Sequence, residues 1–198
     1  QRDVTRSFGP DFADVSPVPA PAGSWASLLG DSAAPRSTGS VLGDIAQFAV
    51  DFRDQYYGLI GAVGDDVDGP PLITAGLIDP GRCLWGERPV RFAKRRYAAP
   101  RVALDRLSPK LQSWAERRLV PKILVANQTS VIEAVVDRHG DWLPSVPVIT
   151  CAALDLDTVM GVLGSPDATA WVRHQAAGSG LSANTVRLTP ALLASIPI

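Results

Sequence analysis

This 198-residue chain has few of the residues that carry metal, redox or nucleophilic chemistry: two cysteines, two histidines and one methionine. Cys83 and Cys151 lie far apart, with no second cysteine near either. That spacing excludes a zinc ribbon or a Cys-x-x-Cys motif, and a reduced, cytoplasmic chain explains it best. His139 and His174 lack ligand partners at helical or loop spacing and read as surface or capping residues. No run approaches the roughly 20 apolar residues that a spanning helix needs, so no membrane partner is expected. The opening QRDVTRSFGP carries no signal-peptide pattern. Without an initiator Met it reads as part of something longer.

Catalytic motifs are missing too. GSWASLLG and GLIGAVG lack the Lys-Ser/Thr or strand-to-helix context of a phosphate-cradling loop. No Gly-x-Ser-x-Gly elbow occurs, and GSGLS (178–182) reads as a helix stop. Carboxylates are scattered with no evident acid–base pair. The single Pro-Pro stands in Gly69-Pro70-Pro71-Leu72, not in an Asn-Pro-Pro-aromatic sequence. A recognition or interaction domain is expected rather than a self-sufficient enzyme, and no cofactor is expected in the chain itself.

What is present is polarised charge. The formal net charge is −1, yet Arg82–Lys122 holds nine Arg and three Lys against Glu87, Asp105 and Glu116, a net of +9. The remainder holds seven basic and seventeen acidic residues, a net of −10. Trp85, Phe92, Tyr97 and Trp114 are interleaved with the cations. Such a segment suits a phosphate backbone, or it is neutralised internally by the acidic remainder. Composition leaves both open.

Taken in order, residues 1–40 carry prolines at 10, 17, 19, 21 and 35 and are expected as an extended arm or linker, with one turn at 25–29. The body is expected to be a single domain over 41–198. Leu42, Ile45, Phe48 and Ala49 in VLGDIAQFAVDF lean helical, whereas YYGLIGAV (56–63) favours a strand. GDDVDGPP (64–71) is a turn; its aspartates read as a solvated acidic loop, since the calcium-loop pattern is absent. Leu72–Ala75 reads as a strand entering a turn closed by Asp79-Pro80-Gly81. Strands are expected over 89–97, with a basic outer face, and over 101–107. Ser108-Pro109 opens a helix with Leu111, Trp114, Ala115 and Leu119 on one face, ended by Pro121. KILVANQTSVIEAVVD (122–137) predicts two strands joined by Asn127-Gln128-Thr129-Ser130, and VPVITC (146–151) predicts a third strand of an antiparallel meander. Helices are expected at 155–164, at 165–178 and from Thr189-Pro190. The fold class is α+β: antiparallel strands over the first two thirds, packed helices at the C-terminus and an extended N-terminal arm.

Several phrases occur in an order that resembles a known family. They are LGDIAQF (42–48), YYGLIG (56–61), LITAGLIDPGRCLWG (72–86), Arg-Phe-Ala-Lys-Arg-Arg-Tyr-Ala-Ala-Pro (91–100) and Pro-Lys-Ile-Leu-Val-Ala-Asn-Gln-Thr (121–129). Val-Pro-Val-Ile-Thr-Cys (146–151), Val-Met-Gly-Val-Leu-Gly-Ser (159–165) and the closing Arg-Leu-Thr-Pro…Ile-Pro-Ile follow. Together, over residues 41–198, they resemble the target-recognition region that follows the catalytic domain in adenine-specific DNA methyltransferases of restriction-modification type. Leucine-glycine-serine at 163–165 departs from the leucine-asparagine-serine often found there. The resemblance implies a DNA-reading half. The catalytic half, which binds S-adenosylmethionine and flips an adenine out of the duplex, would lie upstream, outside this chain.

On that reading the partners are double-stranded DNA and the chain's own catalytic domain or a methyltransferase subunit. Arg91, Lys94, Arg95, Arg96, Lys110, Arg117, Arg118 and Lys122 would neutralise phosphates and set register. Asn127, Gln128 and Thr129 are candidate base readers, since Asn and Gln can bond an adenine edge twice; a plain hairpin connection is the other reading of this trio. Tyr97 is a candidate for stacking, whereas Trp114 sits on an apolar helix face and belongs to the core. The alternative function is a protein-interaction or scaffold domain that docks a partner subunit through the same basic face.

Overall fold

The centre of the molecule is a four-stranded antiparallel sheet, in the spatial order Ala134–Asp137, Lys122–Val125, Ile149–Ala153, Ala46–Val50. The structure, a computed structural model, describes residues 39–51, 53–176 and 185–198, together with the backbone of Asp3–Thr5 and Pro17–Pro19. The Lys122–Val125 strand is buried throughout, because both faces of the sheet are covered. Ile123 and Val125 point with Ile149, Cys151 and Ala134 into one apolar layer. Leu124, Val135 and Val148 fall into another with Ile73, Leu77, Ile78, Leu84 and Val90. Alternation along the pleat thus gives each face its own core.

The first layer is closed by the C-terminal helices. Helix α3 (Leu156–Leu163) is capped by Asp155, whose carboxylate accepts from the amides of Asp157 and Thr158. Helix α4 (Pro166–Gln175) is capped by the Ser165 hydroxyl, which accepts from Ala168 N. In α5 (Pro190–Ala194) Thr189 plays the same part toward Leu192 N. Proline at the first helical position has no N–H to leave unpaired, so Ser/Thr-Pro starts a helix cheaply. Val159, Leu163, Trp171, Val172 and Leu193 bury against the sheet.

Behind the other face lies a region of short strands and turns built on a third cluster: Leu59, Leu72, Phe92, Tyr97, Val102, Trp114, Ala115 and Leu143. Helix α2 (Pro109–Arg118) covers it, starting after Ser108 as the sequence predicts, although the Ser108 side chain makes no capping bond. Leu72–Ile73 pairs with Leu143–Pro144, in parallel, and Arg101–Val102 pairs with Val63–Gly64. The chain is therefore α+β, with antiparallel pairing dominant and the packed helices last.

Several local expectations are corrected. Residues 41–51 are not α-helical: a 3-10 turn at Leu42–Asp44 leads into the strand Ala46–Val50. Pairing with Ile149–Ala153 overrides the helix-like spacing. The 56–63 stretch begins as a helix, α1 (Arg53–Leu59), and reaches a strand only at Val63–Gly64. Gly58 lies in α1 on the side that meets α2. A Cβ on it would come within 2.2 Å of Leu111 Cδ1, where α1 meets α2. The meander is out of sequence order, since Ile149–Ala153 pairs with Lys122–Val125 rather than with Ala134–Asp137. The expected strand at 101–107 is two residues long and continues as a 3-10 turn, Leu104–Arg106. In the arm, Asp3–Thr5 and Pro17–Pro19 pair antiparallel. The turn expected at 25–29 and the helix stop at 178–182 lie outside the described residues.

Candidate nucleic-acid interface

The basic segment divides in two once its partners are known. Arg82 pairs with Glu87 and Arg88 with Asp79. Arg101 stacks 4.6 Å over the Trp85 ring and donates to Gly69 O. Arg118 forms a bidentate bridge to Asp51, which holds its guanidinium firmly protonated. Lys122 is 2% exposed and donates to Asp137 Oδ2 at 2.6 Å and to Val120 O at 3.1 Å. Burial pulls its ammonium below the ordinary range, and the Asp137 carboxylate pulls the other way. Asp137 also accepts from the amides of Gly140, Asp141 and Trp142, so the pair staples the 138–142 turn to the sheet. Arg118 and Lys122 are thus structural residues, and Lys122 has no surface to offer a phosphate.

Arg91, Lys94, Arg95 and Arg96 are different. All four are exposed, and none has an ion-pair partner among the described residues. The strand expected over 89–97 is in fact a hairpin, Val90–Phe92 paired with Arg95–Tyr97. Ala93 and Lys94 form its two-residue turn with φ of 47° and 67°. Positive φ at both positions is the signature of a type I′ turn, which ordinarily takes Asn-Gly.

Val90, Phe92 and Tyr97 bury one face of this hairpin. Arg91 and Arg96 stand directly opposite each other on the other face. Side groups from elsewhere hold it in place. The Ala93 amide donates to the Tyr56 hydroxyl at 3.1 Å, and the Tyr56 and Phe92 rings lie 4.8 Å apart. The Asp65 carboxylate accepts from Ala98 N and Ala99 N just beyond the second strand. Asp65, in the acidic loop, is thus a clamp for this exit. Tyr56, Asp65 and the turn itself escape sequence reading, because each acts across more than thirty positions or lacks the usual turn residues.

Two clefts flank the hairpin. One of about 420 Å3 is lined by Pro89, Val90, Arg91, Lys94 and Arg96. The other, of about 370 Å3, adjoins it through Pro89, Val90 and Arg91. Three unpaired cations around one concavity make a site for an anion with several oxygens, of which phosphate is the plainest case.

The remaining predicted residues are placed elsewhere. Tyr97 is 8% exposed and packed in the core, so its ring is not presented for stacking. Lys110 and Arg117 are exposed on α2. Asn127, Gln128 and Thr129 do not form a free turn. Gln128–Thr129 pairs with Val186–Arg187, Asn127 O accepts from Leu188 N, and the buried Thr129 hydroxyl donates to Val131 O. Asn127 and Gln128 remain half-exposed, and neither flanking cleft includes any of the trio. Among the described residues no helix is long and apolar enough to cross a membrane. No protein-family model matches this chain, and no curated protein matches it either.

Proposed function

We propose that this chain is a DNA-binding target-recognition domain whose basic hairpin engages the phosphate backbone of a duplex. The observation that carries the reading is the hairpin's cost. It sets Arg91 opposite Arg96, which is unfavourable between like charges, and holds two non-glycine residues at positive φ, at roughly 1–2 kcal/mol each. Its charges also lack the acidic partners that Arg82, Arg88, Arg118 and Lys122 of the same segment possess. Strain and repulsion kept on a rigidly held surface element favour a functional role, and an external polyanion would relieve the repulsion.

The ordered resemblance over 41–198 supplies the finer assignment: an adenine-specific DNA methyltransferase of restriction-modification type. S-adenosylmethionine and the flipped adenine belong to the catalytic half, and no residue of this chain is assigned to either. The hairpin's part is to bind and orient the duplex; phosphate contacts set register without reading sequence.

Charge reversal tests this directly. Lys94, Arg95 and Arg96 changed together to Glu are expected to weaken binding to unrelated duplexes about equally, by at least tenfold at low salt. Unchanged affinity would remove the hairpin from the contact surface. Retained binding to an acidic partner protein, with no duplex binding in either form, would favour the docking alternative.

A further inference from the structure

The second cleft differs chemically from its cationic neighbour. The half-buried Tyr56 ring gives it an aromatic wall, backed by the core residue Phe92, and Ala75 and Gly76 give it a floor without bulk. A Cβ placed on Gly76 meets nothing within 4 Å, so the floor opens onto empty space. Arg88 fixes that floor by donating to Gly76 O while pairing with Asp79.

Two hydroxyls on the lining are underused. Thr74 stands at the cap position of the Ala75–Leu77 turn, yet its side chain makes no capping bond. Ser145 is buried, and its hydroxyl reaches only Val146 O, at a long 3.4 Å. Buried hydroxyls ordinarily find better partners than that. The volume of about 370 Å3 falls within the range of ligand sites, roughly 300–1,000 Å3.

A cleft walled by the Tyr56 ring, with spare hydroxyl groups and joined through Arg91 to a cleft carrying Lys94 and Arg96, suits a base with its phosphate. We infer that the two clefts form a nucleotide site, with an unstacked base in the first and its phosphate on Arg91, Lys94 and Arg96. The inference rests on the nucleic-acid reading of the hairpin, and it assigns the site to an unpaired nucleotide of the bound DNA other than the adenine held by the catalytic half. A free nucleotide would present the same groups. Stacking and burial of one base are worth enough to separate an extrahelical base from a paired one by about tenfold.

The test compares an intact duplex, the same duplex with a single-nucleotide bulge, and dAMP alone, each titrated against this chain. Gly76→Leu fills the floor, and Thr74→Val removes a hydroxyl at near-constant shape. Wild type is expected to bind the bulged duplex about tenfold more tightly than the intact one. Gly76→Leu should erase that preference while leaving intact-duplex affinity unchanged, which also certifies its fold. Thr74→Val should reduce the preference about threefold. Equal wild-type affinity for both duplexes would overturn the nucleotide site and leave the DNA reading standing. Binding of dAMP that Gly76→Leu abolishes, with neither duplex bound, would support the site, assign it to free nucleotides and overturn the DNA reading. Binding of none of the three would overturn both.

Discussion

At the residue scale, an amino acid's type in this chain says less than its partner does. Lys122 and Lys94 belong to the same basic run, yet Lys122 is sealed against Asp137 while Lys94 stands at a turn in solvent. Asp137→Ala should destabilise the fold by about 3–5 kcal/mol in urea unfolding, because it strands a buried ammonium and three backbone amides. Lys122→Met should cost less, since Asp137 keeps its three amide donors. Equal losses would mean that the ion pair, not the amide network, is what matters.

The thiols follow the same logic. Burial pushes Cys151 up to about 12 and also raises the half-buried Cys83. Iodoacetamide at pH 8 should therefore modify Cys83 first and reach Cys151 only as the protein unfolds. Because the folded-state value of Cys151 is raised, its contribution to stability is complete below the ordinary thiol range. It is lost as pH rises toward 12. Modification of both thiols at equal rates in the native protein would contradict this placement.

At the scale of elements, what was legible is what is locally encoded. The three Ser/Thr-Pro starts locate α2, α4 and α5, because capping and the missing proline N–H act within one turn. The segments over 41–51 and 53–62 depart from their local signals for the opposite reason. Ala46–Val50 becomes a strand through a partner a hundred positions away, and Gly58 lies in α1 where the Leu111 side chain of α2 packs against it. The basic hairpin was hidden inside one apparent strand, since Ala93-Lys94 is a poor turn signal. That poor choice yields a prediction. Lys94→Gly should stabilise the protein by about 0.5–1 kcal/mol, the relief of positive φ less the added freedom of the unfolded chain. It should also weaken duplex binding two- to tenfold through the lost cation. Thermal denaturation and anisotropy read the two effects separately, and a stabilised variant with undiminished affinity would take Lys94 out of the interface.

At the scale of the whole molecule, three apolar layers are stacked around one sheet, and the unpaired charge projects from the region behind it. The sequence shows the polarity, +9 in one segment against −10 elsewhere. Which cations are spent internally is visible only in the fold, because Arg118 finds its acid sixty-seven positions away and Lys122 fifteen. The central claim is that the hairpin's four free cations meet DNA phosphates. It is tested most directly by titrating a mixed-sequence duplex with this chain across a salt series. With four phosphates neutralised, log affinity should fall with log salt at a slope of about −3 to −4, steepening toward −5 if Lys110 and Arg117 join. A slope near zero, or no duplex binding at the lowest salt, would contradict it.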